Sequence, residues 1–329
     1  MSNTSSGLLY GALLLIYAQF QPAGFAFQSA PQKIFIEPRK MPPVAGTTGD
    51  TSAHLRVDAS LVLISANVST DTGARVTDLQ KDNFRIFEDG DERQITYFAM
   101  EDAPVSVGLL FDSSGSMHNK MKQSTQAAAE LFKTASPEDE FFLVEFNERP
   151  KLTVPFTTDL NELYDRVSHI RTVGRTSLLD AIQMSLNLMK KGKNTRKALI
   201  ILSDGGDNRS RATAAQVKAA VLESDVLLYA MGIFDVGKGT REEQNGPKLL
   251  DALTAQSGGK HFRADSADDL PSISARIGNE LRSQYVLGYA PGALENDGRY
   301  HRVKVDLELP PDMPPLRVHY RPGYFAPAR

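Results

Sequence analysis

The sequence predicts an α/β fold built on a central, mostly parallel sheet, with shorter strand-rich segments before and after it. Three observations carry this. From Val105 to about residue 283, apolar strand-like runs alternate with stretches of helical length, the pattern of strands joined by crossover helices. On either side of that region the pattern is alternating and β-branched, with turn residues between the runs. Inside it, the short turn Glu148-Arg149-Pro150 leaves no room for a crossover helix, so one strand must run against the others.

Along the chain, residues 8–18, LLYGALLLIYA, are uninterruptedly apolar or small. Such a run is short for a bilayer span and right for a signal-peptide core. With Gly24 and Ala26 placed for cleavage, residues 1–26 are expected to be a signal peptide, although no Lys or Arg precedes Lys33. No later segment is long and apolar enough to cross a membrane. Residues 27–54 are rich in Pro, Gly, Ser and Thr and read as a linker. Residues 55–103 form a β-rich segment in which Asp89-Gly90 separates two strand-like runs, a hairpin signal. The α/β region, 104–284, opens with the strand VSVGLLF and a helix over 119–134. Then follow EFFLVEFN, the turn, KLTVPF, and helices over 160–171 and 177–191. KALIILS leads to a helix over 212–223, VLLYAMGIF to one over 248–256, and KHFRA to one over 268–283. Residues 285–329 return to strands. A hairpin alone is marginal in water, so 55–103 and 285–329 are expected to pack into one β module with the α/β unit inserted between them.

Composition narrows the function. A net charge of −3 over 329 residues makes no electrostatic case for nucleic acid or anionic membrane. The absence of cysteine excludes disulfides, thiolate metal sites and thiol catalysis. The histidines are scattered, without an H-E-x-x-H motif, so a catalytic zinc site has no support. Gly237-Lys238-Gly239 lacks phosphate-loop spacing and reads as a turn.

Direction along the sheet picks out a site. If VSVGLLF rises, Asp112, Ser114 and Ser116 of the stretch FDSSGSM lie at its top. EFFLVEFN rises beside it, KLTVPF descends, and the next helix climbs to put Thr176 at the top as well. KALIILS then delivers Asp204 to the same edge, the edge where open α/β sheets bind ligands. Two carboxylates and three hydroxyls are hard oxygen donors suited to Mg2+, or to Mn2+ or Ca2+. Each stretch alone has an ordinary alternative. Asp112–Ser116 could cap the following helix, Ser177 and Asp180 have capping-box spacing, and Asp204-Gly205-Gly206 could be a turn. Asp207 reads as a surface residue, and Glu145, Asn147 and His118 as loop residues.

DSSGS, with Thr176 in GRTSLLDAI and Asp204 in LIILSDGGDN, resembles the metal-ion-dependent adhesion site of von Willebrand factor A (vWA) domains. LQKDNFRIFEDG, EDAPVSVGLLFDSSGSM and LRSQYVLGYAP further resemble the acidobacterial VWFA-related family of exported proteins. The resemblance implies a Rossmann-like, doubly wound sheet with helices on both faces. It also implies a metal held by Asp112, Ser114, Ser116, Thr176 and Asp204, the hydroxyls contacting it directly and the aspartates often through water. By that likeness the chain is a secreted or envelope-associated binding protein, not an enzyme, and its partner is a protein presenting Asp or Glu. Two other readings stay open: a metal-assisted hydrolase, against which no Lys or His is poised as acid or base in the three loops, and an envelope protein whose metal only braces loops.

Overall fold

The computed structural model describes residues 61–234, 241–264, 266–292, 297–311 and 313–326, the side chains of 241–243 excepted. The expected signal peptide, the linker and the Gly237–Gly239 turn lie outside these residues.

The described chain opens with β1 (Val62–Thr70), β2 (Phe84–Glu88), β3 (Asp91–Arg93) and β4 (Ile95–Asp102). Between β2 and β3, Asp89 and Gly90 take φ of 51° and 101°, the paired positive angles that let a two-residue turn follow the strand twist. The α/β unit begins with β5 (Val105–Asp112), a 3-10 turn over Gly115–Lys120 and α1 (Met121–Lys133). It continues through β6 (Glu140–Phe146), β7 (Pro150–Thr157), α2 (Leu160–Ser168), α3 (Leu178–Met189), β8 (Arg196–Ser203) and α4 (Ala214–Glu223). β9 (Leu227–Ile233), α5 (Arg241–Ser257), β10 (His261–Ala264) and α6 (Leu270–Arg282) complete it. Four strands follow: β11 (Ser283–Tyr289), β12 (Tyr300–Leu307), β13 (Leu316–Tyr320) and β14 (Gly323–Phe325).

The central sheet has the order β10-β9-β8-β5-β6-β7. It is parallel throughout except for β7, which pairs antiparallel with β6. Alternate residues of the strands feed two separate cores. Val107, Leu109 and Phe111 join α1, α2 and α6 on one face, and Leu110, Leu199 and Ile201 join α3, α4 and α5 on the other. Strands buried on both faces read as near-continuous apolar runs, which is why β5, β6, β8 and β9 are so plain in the sequence. The fold is therefore doubly wound, with helices on both faces.

The remaining strands form two antiparallel four-stranded sheets, β13-β1-β11-β4 and β14-β12-β2-β3. Ile64, Ala66, Phe84, Ile86, Tyr285, Leu287, Val303 and Val305 fill the core between them. The α/β unit leaves and re-enters this module through neighbouring strands, because Asp102 at the end of β4 is paired with Ser283 at the start of β11. A buried ion pair fastens the junction. Asp139 accepts from Arg282 Nη2 at 2.6 Å, from the Val105 N–H at 2.9 Å and from the Ser136 N–H at 2.7 Å. Arg196 Nη1 donates to the carbonyls of Glu101 and Arg282, both at 3.2 Å.

Two helices differ from expectation. α2 stops at Ser168 rather than 171, since Ile170 turns into the core below α1. α5 begins at Arg241, well before the expected 248, and carries Pro247 inside it. Gly246-Pro247 has the composition of a helix breaker, but Gly246 is the point where α5 touches another backbone: a Cβ there would lie 2.5 Å from the Asp204 carbonyl oxygen. The glycine is spent on close approach rather than on ending the helix.

Removing Asp139 leaves Arg282 with only Asp102, at 3.7 Å, as a counter-charge among the described residues and strands two backbone donors in the interior. Asp139→Ala is therefore expected to lose about 3–5 kcal/mol of stability in urea unfolding at neutral pH. A loss below about 1 kcal/mol, the range of an exposed ion pair, would contradict the junction described.

Candidate functional site

Strand order reverses at β5. The chain moves from β5 outward to β6 and β7, then returns to the other side of β5 for β8, β9 and β10. At such a switch point the loops leaving two adjacent strands part to opposite faces and open a crevice. Asp112 is the last residue of β5 and Asp204 the first beyond β8. Pairing of Phe111 with Leu202 sets the two strands in step. Both carboxylates, with Ser114 and Thr176, are buried, and Ser116 is half-buried.

The first loop is held tightly. Asp112 Oδ1 accepts from the Ser114 N–H at 2.9 Å, and its Oδ2 accepts from the Ser203 hydroxyl at 2.5 Å. Ser203 Oγ in turn accepts from the Gly205 N–H at 3.0 Å. The Ser114 and Ser116 hydroxyls lie 3.1 Å apart and share a hydrogen bond. Asp204 Oδ1 accepts from the Gly206 N–H at 3.2 Å.

Backbone hydrogen bonds tie the three loops to one another. Val173 and Gly115 N–H groups donate to the Ser113 and Gly174 carbonyls at 2.9 and 3.0 Å, while Ser113 N–H donates to Phe146 at 2.8 Å. The Asn208 and Arg209 N–H groups both donate to the Thr176 carbonyl at 3.0 Å. Asn208 Oδ1 accepts from the Thr176 N–H at 3.0 Å. The five residues singled out from sequence thus stand on three loops that brace each other around one crevice.

Their oxygens are not taken up by helix capping. Neither Ser114 nor Ser177 caps its helix through the side chain, and the Ser177 hydroxyl is buried without a partner. The S-x-x-D box does not form: Asp180 instead accepts from the N–H groups of Arg211 and Ala212. Asp207 is not a surface residue. It is half-buried, accepts from the Ser210 hydroxyl at 2.6 Å and lies 3.4 Å from the Leu179 N–H at the start of α3. Burial pushes its carboxyl up. Glu145 pairs with Arg166 at 2.5 Å, and His118 is exposed beside the site, its Nδ1 3.1 Å from the Thr172 hydroxyl.

Electrostatics set this crevice apart. Burial, and then the neighbouring Asp204 carboxylate, push Asp112 up to about 7. Two carboxylates share a buried edge, and the oxygen ligands the three loops offer there are hydroxyls and carboxylates. That set suits a hard cation. Among the described residues no group of three or more His, Cys, Asp or Glu is placed to hold a metal ion.

Sequence reasoning missed several contributors. Lys120 does not enter the sequence reading, yet its buried ammonium is 3.9 Å from Asp204 Oδ2 and donates to the Ile233 carbonyl at 3.3 Å. Ser203 was passed over as strand, although period-two alternation puts it on the same sheet face as Asp112. Gly205 has φ of 75°, and a Cβ on it would lie 2.8 Å from Gly246 Cα. No sequence signal announces that contact with α5.

Residues 107–206 match the family model of the von Willebrand factor type A domain. Inter alpha-trypsin inhibitor, heavy chain 4, of Mus musculus is 26% identical over 310 residues, covering 85% of this chain and 32% of its own length. Inter-alpha-trypsin inhibitor heavy chain H4 of Homo sapiens is 26% identical over 226 residues, 61% of this chain and 23% of its own. The chain thus spans a third or less of these relatives. Among solved structures, the von Willebrand factor type A protein from Catenulispora acidiphila aligns with a TM-score of 0.49 and 13% identity over 75% of this chain and 76% of that one. The vWF domain of the type V pili tip protein Mfa5 from Porphyromonas gingivalis gives 0.44 and 13%, over 54% and 95%.

The raised Asp112 has a readable consequence. A carboxyl whose folded pKa exceeds its unfolded one makes folding harder as it ionises. The cost is absent below about pH 4 and complete above about pH 7, and for a shift of this size it is on the order of 4 kcal/mol. In EDTA the melting temperature should fall across this window. Asp112→Asn keeps the shape and removes the charge, so its melting temperature should fall less and stand above wild type at about pH 8. A variant melting below wild type there would refute the assignment.

Proposed function

We propose that this chain, which carries a von Willebrand factor type A domain, is an exported, cation-dependent protein-binding module. Ser114, Ser116 and Thr176, with Asp112 and Asp204, would hold Mg2+ or Mn2+, Ca2+ being the third candidate. The single observation that carries the reading is the pairing of two buried carboxylates with hydroxyl-bearing loops at one sheet edge, where their like charges have to be offset. When bound, the cation supplies an electrophilic position that an Asp or Glu of a partner protein can fill. Neutral hydroxyl ligands leave more of its charge for that incoming group than carboxylates would.

The chain's own residues favour binding over catalysis. A hydrolase needs a group free to move a proton. Lys120 sits buried beneath Asp204 and donates to a backbone carbonyl, and His118 shares a hydrogen bond with Thr172. The similarity to proteins named as heavy chains of inter-alpha-trypsin inhibitor supports the binding reading. Export rests on the apolar run at residues 8–18, and among the described residues no helix is long and apolar enough to cross a membrane.

A ligand bound only by the folded state stabilises it by mass action, about 2.7 kcal/mol at a hundredfold excess over Kd. At such an excess Mg2+ or Mn2+ should raise the melting temperature by roughly 5–10 °C. The rise should vanish with EDTA and in Asp112→Asn and Ser116→Ala. An equal rise in those variants would place the cation elsewhere, and no rise in wild type would end the metal reading.

A further inference from the structure

The loops that carry the crevice are basic where they face solvent. Arg171 and Arg175 flank the Thr172–Gly174 turn immediately before Thr176, and both are exposed. Arg209 and Arg211 stand exposed on the loop after Asp204, whose backbone is bonded to Thr176 through the N–H groups of Asn208 and Arg209. Arg149 is exposed on the β6–β7 loop, next to the Phe146 carbonyl that receives the Ser113 N–H. Among the described residues none of these guanidinium groups is in an ion pair, although the cations Arg85, Arg166, Arg263, Arg282, Lys304 and Arg317 all are.

Against these five cations the same loops expose one acid, Glu148, whose stem lies against Gly174. Asp204 is buried, and Asp180 and Asp207 have their carboxylates engaged by backbone and hydroxyl donors. The contrast with the whole chain, at net −3, makes this rim a local feature and not a reflection of composition. Between Arg171 and Arg175, Val173 presents 63% of its surface to solvent. Its backbone is fixed by the hydrogen bond to Ser113, so it offers a held apolar contact between two exposed cations.

We propose that the partner's contact segment is an acidic stretch of protein, with several Asp or Glu around the one that enters the crevice, held by Arg171, Arg175, Arg209 and Arg211. This rests on the binding function proposed for the crevice and specifies the partner's chemistry beyond a single carboxylate. Guanidinium groups suit carboxylates because their planar forks bond two oxygens at once. A cationic rim also raises the encounter rate of an acidic partner and rejects basic ones. It opposes tight retention of a bare cation, so the acidic segment does more to hold the cation here than at a neutral rim.

Fluorescence anisotropy with two labelled peptides of equal length tests this. One carries a single Asp in a Gly/Ser run, and the other adds Glu residues on both sides of it. With Mg2+ at low salt, the acidic peptide should bind wild type roughly tenfold tighter than the single-acid peptide, and the advantage should shrink as salt rises. In the combined variant Arg171→Ser, Arg175→Ser, Arg209→Ser, Arg211→Ser the advantage should disappear, while the Mn2+-induced rise in melting temperature is retained or enlarged. Equal binding of both peptides to wild type, or an advantage surviving in the variant, overturns the proposal. Heparin serves as a polyanion without carboxylate spacing of a peptide. If it binds wild type as tightly as the acidic peptide, with or without EDTA, the rim is a general polyanion surface and the assignment to an acidic protein segment fails. Failure of the underlying metal reading has its own signature. The acidic peptide would then bind equally in EDTA, Mn2+ would leave wild-type melting unchanged, and the rim would not serve that crevice.

Discussion

Two carboxylates, Asp112 and Asp204, are buried at the ends of adjacent strands. Burying one ionised group without a counter-charge is expensive, and burying two side by side is more so. Nearly every polar detail of the crevice acts on that cost. Ser203 and the Ser114 N–H donate to Asp112, the Gly206 N–H donates to Asp204, and Lys120 brings an ammonium within 3.9 Å. Even so, Asp112 stays high. The surroundings soften the repulsion without removing it, and a fold that maintains such an arrangement keeps a standing attraction for added positive charge.

The sheet makes this arrangement possible by moving it away from what stabilises the protein. Apolar residues on both faces of β5, β6, β8 and β9 build two cores, into which the site loops anchor Met117, Leu178 and Leu179. Connections at the opposite edge are fastened separately by Asp139, Arg282 and Arg196, where α6 passes into β11 and the inserted unit joins the β module. The two buried carboxylates thus sit at the carboxyl edge, beyond the apolar interior of the parallel sheet. Close approach of Gly205 to Gly246 lets α5 lie against the Asp204 loop from behind, so that the loop is packed as well as hydrogen-bonded.

How much of this was legible in the sequence depended on the range of the interaction. β5, β6, β8 and β9 follow from their apolar composition, and the antiparallel β7 from a turn too short for a helix. The convergence of Asp112, Thr176 and Asp204 on one edge follows from strand direction alone. What could not be read was set by contacts between distant segments. Lys120 lies in a loop with ordinary surface composition, and only the end of β9, at Ile233, shows that it is buried. Gly246-Pro247 has the local chemistry of a helix end, yet α5 runs through it because a backbone from elsewhere in the chain needs that space. Asp207 has the composition of a turn residue but faces the N-terminus of α3, which a linear reading places apart from it.

The division between buried carboxylates and exposed guanidinium groups also bears on specificity. A partner carboxylate alone gains from the crevice, but so would any carboxylate in solution, and one ionic contact discriminates poorly. Discrimination needs elements that reject alternatives. Exposed cations on loops that are themselves bonded to Thr176 and Ser113 would provide such an element, because a basic segment approaching the two carboxylates meets them first. The same hydrogen bonds that hold the crevice together therefore hold the rim at a set distance from it. Affinity and selectivity at this edge are two consequences of one loop geometry.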